Sequence, residues 1–198
     1  METAVEKIGM PLDEFIRLYD VEGPFELING ERRPLMVNVA GHGEVAQTLF
    51  LALHRVVSAS QLGGVLHEQT FVLSDVPNWV TGSRQPDVAF YKAERINAYK
   101  EANPDWKLKP YILVPDLAVE VLSPNDNLTE LEDKVDQYLL DGVQRVWVLN
   151  PQKQKVSVYT LTIRQPFTKQ ETYLTVNDTL NGNDLVPGFE IAVARLFA

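Results

Sequence analysis

One stretch of the chain limits its fold more than any other: Ala118-Val119-Glu120-Val121-Leu122. It is almost wholly apolar, as a strand buried on both faces must be, and Ser123-Pro124 stops it. Leu128, Leu131, Val135, Tyr138 and Leu139 follow at helical spacing, and Asp141-Gly142 closes a helix over about Leu128–Leu140. Gln144–Leu149 reads as a second buried strand, stopped by Asn150-Pro151. Strand, helix and strand within roughly thirty residues form a βαβ unit, so the two strands are expected to be parallel, with a right-handed crossover.

The flanking sequence supplies further elements. Residues 12–19 read as a short helix. Phe25–Ile28 and Glu31–Val39 read as a hairpin turning at Asn29-Gly30, with Pro34 marking an edge strand. Val45, Leu49, Ala52, Leu53 and Val56 predict a helix over Glu44–Ser60, with Gly63-Gly64 suited to its C-terminal cap. Val65–Leu73 alternates like a strand, Asp75–Arg84 reads as a loop, and Gln85–Tyr91 as a short strand. Ala93–Trp106 is expected to be helical and then irregular. Two antiparallel strands near Lys155–Ile163 and Glu171–Val176, a turn at Asn181-Gly182-Asn183-Asp184, and Ile191–Phe197 complete the chain. No repeat, low-complexity segment or linker is visible. The expectation is one α/β (α+β) domain over residues 1–198, with a mixed sheet flanked by helices.

Composition narrows the setting. The chain has no cysteine, which excludes a disulfide framework and a thiolate metal site, and a reducing compartment fits best. The sequence shows no leader pattern and no span long enough for a membrane. A soluble cytoplasmic protein is expected. Nucleic-acid binders usually carry a basic balance, yet here 18 Lys and Arg face 27 Asp and Glu, a net charge of −9. A polyanionic substrate would have to be met by local cations or metal ions.

Glu120 is the residue out of place. A carboxylate among Val119, Val121 and Leu122 is costly to bury unless it is paired or bound to a metal. On a strand it faces away from Val119 and Val121. A salt-bridged interior glutamate, or one on a sheet edge, would fit the same pattern. Asp87 stands in Arg84-Gln85-Pro86-Asp87-Val88-Ala89-Phe90, where Pro86 keeps Gln85 extended and Asp87 opens a strand. A plain turn aspartate would look alike. Asp116 also precedes a buried strand, but it lies four residues before Glu120 and so near the other end of that strand. Lys134 falls beside Tyr138 on the flank of the helical stripe, at about 100° per residue. From there its stem can carry an ammonium over the sheet toward the end of the preceding strand. A solvated lysine pairing with Glu130 is the alternative.

Two carboxylates on adjacent strands, with a backbone carbonyl for which Val121 is the candidate, make half of an oxygen cage for Mg²⁺ or Mn²⁺. Phosphodiester cleavage uses such an ion to polarise the phosphate and lower the pKa of a bound water. A nearby lysine orients that water or stabilises charge growing on the phosphate. His54 has apolar helical neighbours and reads as structural, and His67 is isolated. His42 and Glu44, in a loop entering a helix, are either site residues or N-terminal caps. There is no zinc spacing, phosphate-cradling glycine loop or nucleophile elbow.

These residues carry a family resemblance. Phe25-Glu26-Leu27-Ile28-Asn29-Gly30-Glu31, His42, Pro86-Asp87-Val88 and Pro115-Asp116-Leu117-Ala118-Val119-Glu120-Val121-Leu122-Ser123-Pro124 resemble the Uma2 family of candidate endonucleases, also known as DUF820. Lys134, Tyr138, Gly142-Val143, Val146-Trp147 and Leu185-Val186-Pro187-Gly188-Phe189 continue the likeness over residues 12–197. That family is similar in fold to the PD-(D/E)XK restriction-endonuclease superfamily. The resemblance implies Asp87 and Glu120 as the two acidic motif residues and metal ligands. The superfamily's usual lysine would stand at Leu122 and is absent, so Lys134 takes its role. A further glutamate from an early helix is implied, with Glu44 as candidate and Glu31 behind it. Asn150 stands where an aspartate is commoner.

The leading expectation is a Mg²⁺-dependent endonuclease acting on nucleic acid, DNA before RNA, with catalytic Asp87, Glu120, Lys134 and Glu44, and assembled as a homodimer. Two alternatives remain: an inactive nuclease-fold binding module, which the acidic charge favours, and a metal-dependent hydrolase of small phosphoesters.

Overall fold

A computed structural model describes residues 8–124 and 126–198. The first seven residues, where no leader was read, lie outside the described residues, as does the Leu128 side chain of the helical stripe. The backbone forms two compact units.

The smaller unit comprises residues 8–37, 70–85 and 104–114. Its helix, Leu12–Glu22, packs Leu12 and Phe15 with Phe25, Leu27, Val72 and Val80. The hairpin of Phe25–Ile28 with Glu31–Pro34 turns through Asn29 and Gly30, at φ 52° and 83°, as the Asn-Gly pair predicts. Its second strand stops at Pro34 rather than running to Val39, since proline has no N–H for a ladder. The expected loop over residues 75–84 holds two short strands, Trp79–Val80 and Gly82–Arg84. They pair with Met10–Pro11 and Phe71–Leu73, partners too short to show a period of two in sequence.

The larger unit comprises residues 38–69, 86–103 and 115–198. Its elements are α1 (Ala40–Ala59), β1 (Gly63–His67), β2 (Val88–Lys92), α2 (Ala93–Ala102), β3 (Leu117–Val121), α3 (Leu128–Asp141), β4 (Arg145–Asn150), β5 (Lys155–Ile163), β6 (Thr168–Leu174), β7 (Thr179–Asn181), β8 (Glu190–Ala192) and α4 (Val193–Leu196). Six strands make one sheet in the order β6-β5-β4-β3-β2-β1. β3 and β4 are parallel, and every other neighbouring pair is antiparallel. The βαβ unit and the mixed sheet flanked by helices are therefore as the sequence predicts.

Alternation along β3 sorts the two faces. Leu117, Val119 and Val121 join Val88, Phe90, Trp147 and Leu149 in the core that α1 covers. Ala118 and Glu120 point to the opposite face, where α3 lies. Asn127 caps α3 by accepting from the Thr129 N–H at 3.0 Å, and Gly142 ends it in the left-handed region at φ 110°.

α1 begins at Ala40, four residues before the expected start. Gly41 and Gly43, poor helix formers, conceal that first turn in the sequence. His42 thereby becomes the first member of the buried stripe His42, Val45, Ala46, Leu49, Leu53 and Val57. Beyond the helix, Gln61 rather than a glycine takes the left-handed conformation, at φ 54°. Gly63 instead opens β1, where an added Cβ would lie 1.9 Å from the Tyr91 carbonyl oxygen. The extended run expected over residues 65–73 is broken at Glu68, at φ 49°. The closing segment after residue 191 is mostly the short helix α4. Among the described residues no helix is long and apolar enough to cross a membrane.

Leu53 is fully buried between α1 and the sheet. Leu53→Ala is expected to lower the unfolding free energy by about 2–5 kcal/mol, read by urea titration. A loss below about 1 kcal/mol would contradict its place in the core.

Candidate active site

The pairing of β2 with β3 sets the site. Val88 faces Val119 across the strands. Asp87 precedes Val88 and Glu120 follows Val119, so the two carboxylates leave adjacent antiparallel strands at the same level. Both side chains are buried. Asp87 Oδ2 accepts the Val121 backbone N–H at 2.6 Å, doing for that N–H what a ladder carbonyl would. Asp87 Oδ1 lies 2.9 Å from His42 Nε2. An ionised carboxylate only accepts, so that ring nitrogen carries the proton. The other ring nitrogen, Nδ1, is 3.4 Å from Ser123 Oγ. Burial works to lower the pKa of the His42 imidazole. The Asp87 hydrogen bond and charge, with the charges of Glu120 and Asp126, outweigh it and hold the pKa above its ordinary value.

Glu120 is served from α3. Lys134 Nζ donates to Glu120 Oε2 at 3.0 Å, and the Tyr138 hydroxyl donates to Oε1 at 2.6 Å. Positions 134 and 138 are one helical turn apart, on the flank facing the sheet. The Lys134 side chain is thus directed inward, onto Glu120. A buried carboxylate with an ammonium and a hydroxyl on its two oxygens is a compensated charge.

The remaining candidates fall elsewhere. Asp116 sits at the other end of β3, fully buried, and accepts from the Lys92 N–H at 2.9 Å and Gln144 Nε2 at 2.6 Å. Arg95 pairs with it at 2.9 Å, so its work is to tie the start of α2 to the sheet. Glu44 is exposed, and two residues beyond His42 on a helix it points about 200° away from it. It borders a shallow groove with Gly41, Thr48, Pro151 and Phe197 rather than joining Asp87 and Glu120. Glu31 is exposed on the hairpin of the smaller unit. Neither His42 nor Glu44 caps α1, whose cap residue is Val39 with no side-chain bond. His54 and His67 are exposed and flank Phe50, with ring centroids 5.6 and 5.7 Å away. Asn150 accepts from the Lys153 N–H at 3.0 Å, a turn contact that an aspartate oxygen would make equally well.

The sequence underrated His42 and Tyr138. Extending the stripe of Val45, Ala46 and Leu49 back by one turn lands on His42, the signal that would have found it. Tyr138 was legible only as a core aromatic. Among the described residues no group of three or more His, Cys, Asp or Glu side chains is gathered to hold a metal. The available donors are two carboxylates and nearby backbone oxygen. Those are hard ligands suited to Mg²⁺ or Mn²⁺, ions that keep several waters.

This architecture is a mixed six-stranded sheet flanked by helices. It is similar to a crystal structure described as "a putative nuclease belonging to DUF820 from Anabaena variabilis ATCC 29413". The two share 20% identity and a TM-score of 0.74, over 95% of this chain and 97% of that one. The sequence matches the Uma2 family, described as "Putative restriction endonuclease", over residues 12–194, and the chain belongs to that family. No protein of curated function matches it.

Tyr138→Phe removes one donor from the buried Glu120 carboxylate. It is expected to cost about 1–3 kcal/mol in a thermal or urea melt. An unchanged melt would contradict the Tyr138–Glu120 bond.

Proposed function

We propose that the chain is a metal-dependent nuclease that hydrolyses phosphodiester bonds, with DNA as its first candidate substrate. The observation that carries this reading is the pair of buried carboxylates, Asp87 and Glu120, at one level on adjacent strands, with the Lys134 ammonium 3.0 Å from Glu120. Family membership supports the same reaction class.

Asp87, Glu120 and the Val121 carbonyl would hold Mg²⁺ or Mn²⁺, which when bound polarises a phosphate and acidifies a water. Lys134 approaches from a helix rather than from the strand, where Leu122 occupies the usual lysine position and is buried. Its ammonium has three N–H donors. It orients the attacking water or neutralises charge growing on the phosphoryl oxygens. Tyr138 and Lys134 together fix the Glu120 carboxylate, so its orientation is set before substrate arrives. We place the protein in the cytoplasm and expect a homodimer, in line with its cysteine-free sequence and with the prevalence of symmetric pairs.

One observation favours a second reading. α3 carries Glu130, Glu132, Asp133, Asp136 and Asp141 against a single Lys134. That acidic helix beside the site repels a long polyanion and suits a small phosphoester better.

The test is cleavage of plasmid DNA, single-stranded DNA, RNA and the small diester bis(p-nitrophenyl) phosphate, with Mg²⁺ or Mn²⁺ and with EDTA. Metal-dependent cutting is expected, abolished in Asp87→Ala and Glu120→Ala. Lys134→Ala is expected to lower kcat by about 10²–10³-fold. Cleavage of the small diester alone would select the second reading. Equal inertness of wild type and Glu120→Ala on every substrate would overturn the proposal.

A further inference from the structure

We infer that His42 is a positioning residue: it clamps the Asp87 carboxylate in the orientation that presents it to a metal, and Ser123 braces the imidazole from its other side. The inference rests on the metal-dependent reading above and gives a role to a side chain which that reading leaves unused.

The clamp is a two-point one. Asp87 receives the Val121 N–H of β3 on Oδ2 at 2.6 Å and the His42 ring of α1 on Oδ1 at 2.9 Å. A carboxylate held at one oxygen can still turn about its Cβ–Cγ bond, a soft torsion. Held at both oxygens, by donors from two different elements, its plane is fixed. Each oxygen has two lone-pair directions, so one remains on each for a further ligand. The imidazole is itself fixed. It is buried at 6% exposure as the first member of the α1 core stripe, and Ser123 Oγ stands 3.4 Å from Nδ1. Ser123 follows β3, the strand that carries Glu120. The relay Ser123–His42–Asp87 therefore links the end of β3 and the start of α1 to the carboxylate that precedes β2. Supporting residues of this kind orient a ligand without touching the ion.

Two other roles for His42 predict different outcomes. A histidine that acted only through positive charge would repel a divalent cation, and its removal would tighten metal binding. A histidine that merely filled space would be replaced equally well or badly by any side chain of similar size. Positioning predicts that removal weakens metal binding, and that a side chain restoring the N–H to Asp87 rescues it.

The experiment is calorimetric titration of the purified full chain with Mn²⁺, using wild type, His42→Ala, His42→Gln and Ser123→Ala, beside thermal melts and plasmid-cleavage kinetics. His42→Ala is expected to weaken Mn²⁺ binding by about 10–100-fold. Its kcat should fall while KM for DNA stays near wild type. His42→Gln, whose amide N–H reaches about as far as imidazole Nε2, should recover most of the affinity. Ser123→Ala should show a smaller loss in the same direction. Equal or tighter Mn²⁺ binding by His42→Ala would overturn the role of His42 while leaving the metal site standing. So would equal defects in the alanine and glutamine variants with equally lowered melting temperatures. Wild type that binds no Mn²⁺ would overturn the metal-dependent reading itself, and this role with it.

Discussion

The register of β2 against β3 is the constraint on which the candidate site depends. With Val88 opposite Val119, Asp87 and Glu120 share a level, and Val121 offers its N–H to Asp87. A slip of one residue would turn Glu120 into the apolar core that α1 covers and bring Val119 out to meet Lys134. The register is pinned by the face that α1 covers. Val88, Phe90, Leu117, Val119 and Val121 all bury on the α1 side, so a one-residue slip would carry an apolar set out of that core. The Asp87–Val121 bond adds a specific latch at the end where the site lies.

A sheet fixes the position of a carboxylate but not the charge around it. Here the compensation comes from helices on opposite faces. α3 supplies Lys134 and Tyr138 to Glu120, and α1 supplies His42 to Asp87. Each carboxylate thus has at least two protein donors, and the helix donors come from different layers of the same unit. Burying two acids at one level would otherwise be costly. Under the proposed function, the lone pairs left on both carboxylates would serve a hard divalent cation, the ion class that phosphodiester hydrolysis uses.

The parts of this design that depend on pattern were legible in the sequence. The βαβ unit followed from two apolar runs and a helical stripe, and the inward path of Lys134 from its place beside Tyr138. Glu120 was conspicuous because a lone carboxylate in an apolar strand needs a partner. What stayed hidden depends on context that pattern does not carry. The first turn of α1 was masked by Gly41 and Gly43, which cost helix propensity while tertiary packing of His42 favours the helix. That misplaced start made Glu44 look as near the site as His42, although the roughly 200° between helix residues two apart sends them to different sides. The strands over Trp79–Arg84 were hidden because two- and three-residue strands have no period to read.

Asp87 and Glu120 together are proposed to hold one divalent cation. A crystal of the full chain soaked in Mn²⁺, measured for anomalous scattering, tests this proposal most directly. A single anomalous peak within coordinating distance of Asp87, Glu120 and the Val121 carbonyl is expected. No peak there at saturating Mn²⁺, or a peak bound to other residues, would contradict it.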